Sequence, residues 1–104
     1  MQQFDICRLR PVPSGRKRTD LVVILQANLN SSLNTRIVAP LVPEDALPAI
    51  GRLRPKIVFD GQSYRLISDR LSVLNVKSIG MCVGSCAASD YDIRRSLDIV
   101  FMGV

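Results

Sequence analysis

"KIVFDGQSYRLIS", Lys56–Ser68, decides the fold. Two apolar-rich runs flank the dipeptide Asp60-Gly61. A two-residue hairpin turn demands positive φ, and glycine accepts that conformation without steric cost. The stretch predicts two antiparallel strands joined by a tight turn.

The surrounding sequence keeps the same character. "LVVILQANL" (Leu21–Leu29) opens with the β-branched and leucine run Leu21–Leu25 and is short enough for a buried strand, and "NSSLNT" breaks it. "RIVAPLV" (Arg36–Val42) is the next strand, with Pro40 placed where a bulge or an edge is needed. "FDICRLR" (Phe4–Arg10) alternates imperfectly, as an edge strand does. "PVPSGRKRTD" is a loop by composition, with two prolines and a glycine. In "PEDALPAIGRLRP" one helical turn is expected, begun by Pro43 and limited by Pro48. "SVLNVKSIG" (Ser72–Gly80) reads as one further strand. No internal repeat or low-complexity segment interrupts the series.

From Ser89 the spacing becomes helical. Ile93, Leu97, Val100 and Phe101 fall at i, i+4, i+7 and i+8, one face of a helix. Ser89 with Asp92 has the spacing of a capping box, and Asp90 and Asp92 suit the positive end of the helix dipole. Gly103 stands where a helix terminates. The expected layout is mainly β (α+β), a strand-rich body followed by one C-terminal helix. Ile93, Leu97 and Phe101 are its expected core contacts. The closing "SLDIVFMGV" (Ser96–Val104) poses the functional question: Val100, Phe101, Met102 and Val104 either pack down on the body or meet a partner.

Composition narrows the function. A chain of 104 residues fits one domain, residues 1–104, and is too short for two. Hydrophobic residues at 47% supply a core, and charged residues at 22% argue against disorder. The longest apolar run falls far below the roughly 20 residues of a membrane span. "MQQFDICRLR" has no apolar signal-peptide core, so a cytoplasmic location without membrane partner is expected. Three cysteines, an odd number, fit reduced thiols better than a disulfide framework. The chain has no histidine, which removes the commonest metal ligand and general base and excludes an imidazole triad. No catalytic residue, metal or cofactor is expected. Cys82-x-x-x-Cys86 lacks a second ligand pair and reads as core or loop thiols.

The net charge is +5, with one dense patch at Arg8, Arg10, Arg16, Lys17 and Arg18. Such a patch suits an acidic partner or nucleic acid, or is a solvated loop tip. The aromatics do not interleave with it, so a base-stacking surface is not expected.

Four segments taken together resemble a known family. They are "MQQF", "LVVILQANL" followed by "TRIVAPL", "PKIVFDGQSYRLISD" and "DIRRSLDIVFMGV". Their order, spacing and terminal Gly-aliphatic pair resemble the CcdB toxins of toxin–antitoxin systems. The resemblance implies an SH3-like β-barrel with a small additional sheet and one C-terminal α-helix, working as a homodimer. It implies a bacterial protein that binds the A subunit of DNA gyrase and traps the enzyme on cleaved DNA. An acidic, CcdA-like antitoxin would fold onto it and release gyrase. In the family the terminal Trp-Gly-Ile is central to poisoning. Here that triplet is Met102, Gly103 and Val104, with methionine in place of tryptophan. Asp98 stands where a helix asparagine is usual, Leu29 where isoleucine is usual, and Ala27 where serine is usual. The resemblance offers Met102, Gly103, Val104, Asp98 and Leu29 for gyrase. It offers Arg8, Arg10, Arg16, Lys17 and Arg18 for steering the antitoxin.

Three functions follow: a gyrase-poisoning toxin that is not an enzyme, a ribonuclease toxin of similar barrel, and a toxin-like protein that only binds an antitoxin or regulates. A ribonuclease needs an acid–base pair on a basic groove, such as an Arg with an Asp, and none stands out in the sequence.

Overall fold

The computed structural model describes residues 1–11, 21–28 and 32–103. Seven strands precede one helix: β1 (Asp5–Leu9), β2 (Leu21–Ile24), β3 (Thr35–Pro43), β4 (Lys56–Phe59), β5 (Gln62–Leu66), β6 (Ser72–Asn75), β7 (Ile79–Ser85) and α1 (Asp90–Met102). All pairings are antiparallel, in the order β4-β5-β3-β2-β1-β7, with β6 branching from β3. The architecture is mainly β with one C-terminal helix, a curled sheet forming a half-barrel.

The Asp-Gly turn forms as its chemistry requires. Asp60 and Gly61 both take positive φ, 53° and 73°, and Phe59 pairs with Gln62 across the turn. Positive φ at both positions matches the right-handed twist of the flanking strands.

The apolar run Leu21–Leu25 is continuous because both of its faces are buried. Leu21, Val23 and Leu25 face one cluster with Phe4, Ile6, Ala39, Leu41, Ile57, Leu66 and Ile93. Val22 and Ile24 face a second cluster with Cys7, Val38 and Ile79. Alternation along each strand divides the two clusters.

Pro40 sits where β3 changes partners. Residues 35–38 pair with β6 and residues 41–43 with β5, while the other side of β3 runs along β2. The Pro40 carbonyl accepts from Ile67 N–H at 3.0 Å, so its missing N–H faces the gap between β6 and β5. No bond to β2 is lost, so Pro40 is tolerated in a central strand, at a change of partner rather than at the bulge or edge expected.

Several expectations change. β1 is no edge strand: it pairs with β2 on one side and β7 on the other. Its imperfect alternation reflects register shifts against β7 on both sides of Cys7. Ser72–Gly80 is not one strand but β6, a 3-10 turn at Val76–Ser78 and the start of β7. The Asn75 side chain accepts from Lys77 N–H at 2.9 Å and turns the chain. The single turn expected after Pro43 falls later, as a 3-10 turn at Gly51–Leu53, because β3 extends to Pro43. The cysteines are not three thiols. Cys7 and Cys82 face each other across β1 and β7 and form a disulfide, leaving Cys86 free and buried.

Candidate functional site

α1 is held at its middle and left bare at its end. Ile93 is fully buried, and Leu97 packs on the same cluster one turn later. Burying an isoleucine stabilises by roughly 1.5–3 kcal/mol. Ser96, also fully buried, bonds Ser68 at 2.7 Å and pins the helix to the segment after β5. Ser89 stands at the N-cap as expected, but its side chain makes no capping bond. Asp90 pairs instead with Arg94 one turn along the helix.

The last turn overhangs the body. Phe101 is 68% exposed and Met102 76% exposed. Phe101 is therefore not core, contrary to its periodicity. It takes no part in the cluster that holds Ile93 and Leu97. Gly103 caps the helix in the left-handed conformation, φ 80°, and its N–H donates to Ile99 O at 3.0 Å. Only glycine enters that conformation without strain, so the chain leaves the helix sharply at this point.

Asp98 is exposed and lies three and four residues before Phe101 and Met102, on their side of the helix. The last turn carries no basic residue. The negative end of the helix dipole and the Asp98 carboxylate therefore go unneutralised within α1. The tip is an apolar knob with a negative rim, a shape suited to an apolar surface bearing a cation. The structure brings together Asp98, Met102 and Gly103. Leu29 and Val104 lie outside the described residues, and Ala27 is exposed.

Of the basic patch, Arg8 and Arg10 are described and exposed, on β1 and just beyond it. Arg16, Lys17 and Arg18 lie outside the described residues. Arg8 lines a concavity of about 420 Å³ together with Leu41, Asp60, Gln62 and Tyr64.

A second concavity was not foreseen. It measures about 340 Å³ and is lined by Arg52, Lys56, Arg65, Tyr91, Asp92 and Arg95, among others. These residues are spread from the 3-10 turn through the hairpin to the first turns of α1. No local motif marks them, and only the docking of α1 on that turn assembles them. Among the described residues no cluster of three or more His, Cys, Asp or Glu side chains could hold a metal. None of the described helices is long and apolar enough to cross a membrane.

The family model described as CcdB protein matches residues 3–103. No curated relative matches the chain. Among solved structures the chain is similar to an endoribonuclease in complex with its cognate antitoxin from a mycobacterial species, with 12% identity, a TM-score of 0.75, and 96% of this chain and 93% of that one covered. It is similar to the Mycobacterium tuberculosis toxin MazF-mt6 at 15% identity and TM-score 0.73, covering 93% and 95%. It is similar to MazE-MazF from Deinococcus radiodurans at 14% identity and TM-score 0.72, covering 98% and 95%. At these identities the likeness is one of fold.

Proposed function

The chain belongs to the CcdB family, and on that premise we propose that it is the toxin of a toxin–antitoxin pair that acts by binding rather than by catalysis. Its target in this reading is the A subunit of DNA gyrase, trapped on cleaved DNA. Its antagonist is a cognate acidic antitoxin steered by the Arg8–Arg18 patch. It would work in the cytoplasm as a homodimer of one-domain chains, so that two helix tips meet a two-fold target as one symmetric knob.

One observation carries the reading. Phe101 and Met102 stand exposed on the last turn of α1, directly before the left-handed Gly103. A folded body that covers Ile93 and Leu97 yet leaves this pair to solvent presents an interaction surface. Met102, Gly103 and Val104, with Asp98 and Leu29 beside them, are the proposed gyrase contacts.

A second reading, a ribonuclease, draws on the concavity that holds Arg8 and Asp60 together. An arginine and a carboxylate lining one cavity are the minimum for acid–base cleavage of a phosphodiester.

One experiment separates the two. The intact chain and a version lacking Met102–Val104 are expressed in bacteria, and growth, DNA breaks and messenger RNA cleavage are scored. Growth arrest with DNA breaks that disappears on truncation supports gyrase poisoning. RNA cleavage that survives truncation and is lost in Arg8→Ala overturns it in favour of the second reading. A harmless intact chain that still binds its antitoxin leaves only antitoxin binding or regulation.

A further inference from the structure

We propose that the concavity between the Gly51–Leu53 turn, the β4–β5 hairpin and α1 is a binding site for a phosphate dianion, free or carried as a monoester on a nucleotide-sized molecule. Neither Phe101 and Met102 of the helix tip nor Arg8 and Arg10 line this cavity.

Charge is the first argument. Arg52, Lys56, Arg65 and Arg95 line the cavity, and Asp92 is the acid among its lining residues. Glu44 approaches two of them, 3.4 Å from Arg65 and 3.8 Å from Lys56. Four cations against two carboxylates leave a local charge of +2. A phosphate monoester carries about −1.5 to −2 at neutral pH and three acceptor oxygens, which matches that surplus. One carboxylate of an acidic peptide would leave half of it uncompensated.

Unsatisfied donors are the second. The Nε atoms of Arg65 and Arg95 are buried and have no hydrogen-bond partner among the described residues. Buried N–H groups are paired in the great majority of cases, so neither guanidinium is fully committed to the fold of the unliganded protein. The guanidinium fork suits phosphate oxygens in particular.

The third argument is that the wall is rigid before any ligand arrives. Arg54, buried and next in sequence to the lining residue Pro55, makes a two-pronged bond to Asp69 at 3.0 and 2.9 Å and a third to Pro48 O at 2.9 Å. Arg65 in turn donates to Arg54 O at 3.1 Å. A pre-built wall lowers the ordering cost of binding. The volume, about 340 Å³, lies at the small end of ordinary ligand sites. Tyr91, exposed on the first turn of α1, offers a ring face on which a base could stack.

The test uses the intact, isotope-labelled chain at low ionic strength. Inorganic phosphate, adenosine 5′-monophosphate, adenosine and an Asp/Glu hexapeptide are titrated separately while amide shifts are followed. The proposal expects saturable shifts centred on residues 51–56, 65 and 91–95 with phosphate or the monophosphate, and none with adenosine. Tighter binding of the monophosphate than of free phosphate identifies a nucleotide as the source; equal binding identifies the free ion. Arg95→Met is expected to weaken binding about tenfold or more. Arg52→Ala, at an exposed position, is expected to weaken it with an unchanged circular dichroism spectrum. Absence of saturable shifts from both phosphates overturns the proposal. So does a shift map centred elsewhere, a hexapeptide that binds as tightly, or unaltered binding in Arg52→Ala.

Discussion

Phe59, at the end of β4, lies over Gly84 of β7, although β4 and β7 are the two ends of the sheet order. A Cβ built on Gly84 would sit 2.5 Å from Cε1 of the Phe59 ring. The sheet thus curls until its ends meet, and the meeting requires a residue with no side chain. Gly84→Ala is expected to displace the ring and to cost about 1–3 kcal/mol, the usual range for overpacking. Urea denaturation measures it. In a Phe59→Val background the same substitution should cost clearly less; equal costs would mean that the ring and the glycine are not coupled.

The seam between helix and body rests on a different pair. Ser96 Oγ donates to Ile93 O at 2.7 Å, so its one proton is used there, and Ser68 is the donor in the 2.7 Å bond between the two hydroxyls. Ser96→Ala leaves the Ser68 hydroxyl buried without its acceptor and is expected to destabilise by about 1–3 kcal/mol. Ser68→Ala/Ser96→Ala removes both partners and should destabilise clearly less than the sum of the two single losses. A double-mutant cycle in guanidinium chloride that closes additively would count against this bond.

Local chemistry was legible in the sequence, and long-range chemistry was not. The Asp60-Gly61 turn, the doubly buried run at Leu21–Leu25 and the Gly103 helix end are each set by a few adjacent residues, and each stands where expected. The centrality of β1 was hidden because its neighbours β2 and β7 come from opposite ends of the chain. For the same reason the Cys7–Cys82 pairing, across 75 residues, could not be read from cysteine parity. Periodicity put Phe101 on the face of Ile93 and Leu97, but it carries no information on where the covering strands stop. The exposed tip is therefore visible only in three dimensions, while Met102 and Gly103 were marked by resemblance. The cluster of Arg52, Lys56, Arg65 and Arg95 has neither a local motif nor a resemblance behind it.

Acid sensitivity should trace to Asp69. The Arg54 guanidinium, hydrogen-bonded to both carboxylate oxygens, holds Asp69 below its usual value, against a smaller opposing effect of burial. A carboxyl with a depressed folded-state pKa contributes stability above its unfolded value and loses it as pH falls through the folded one. That contribution is complete at pH 7 and fades below the ordinary aspartate value of 3.8. Asp69→Asn is expected to be less stable at neutral pH and to show a flatter decline below about pH 4. Thermal melts from pH 2 to 7 test this, and parallel curves for the two proteins would refute it.

Cys86 should be inert while the protein is folded. Burial pushes its thiol up to about 12, and its Sγ–H donates to Phe4 O at 3.3 Å. With the thiolate suppressed, iodoacetamide at pH 8 is expected to leave the native protein unmodified. In denaturant without reductant one thiol should react, and after reduction three, because Cys7 and Cys82 are joined. The raised pKa also has a thermodynamic sign. Above the unfolded value of 9.0 the unfolded chain releases a proton that the folded chain keeps, so stability falls as pH rises from there towards 12. Cys86→Ala should remove that alkaline slope, and a slope that persists would assign it elsewhere.

Met102 is the position at which the helix tip can be tuned. Its thioether is 76% exposed, one residue before the left-handed Gly103 and four after Asp98. Methionine gives the tip flexible apolar surface but no ring face for a cation. A tryptophan there would lie beside the unneutralised negative end of α1, where an arginine on the target would meet both the ring and the dipole. Desolvated cation–π contacts are worth about 1–2 kcal/mol, so if the proposed gyrase reading holds, Met102→Trp is expected to tighten binding to the gyrase A subunit about tenfold. Since the side chain is solvent-exposed, the fold should be unaffected, with the same urea midpoint as the parent. Titration calorimetry with the isolated gyrase A subunit reads the affinity directly. Met102→Ala should weaken it, and Gly103→Ala should weaken it further by straining the helix exit. If Met102→Trp, Met102→Ala and the parent bind alike, or none binds, the proposed role of the α1 tip in gyrase contact fails.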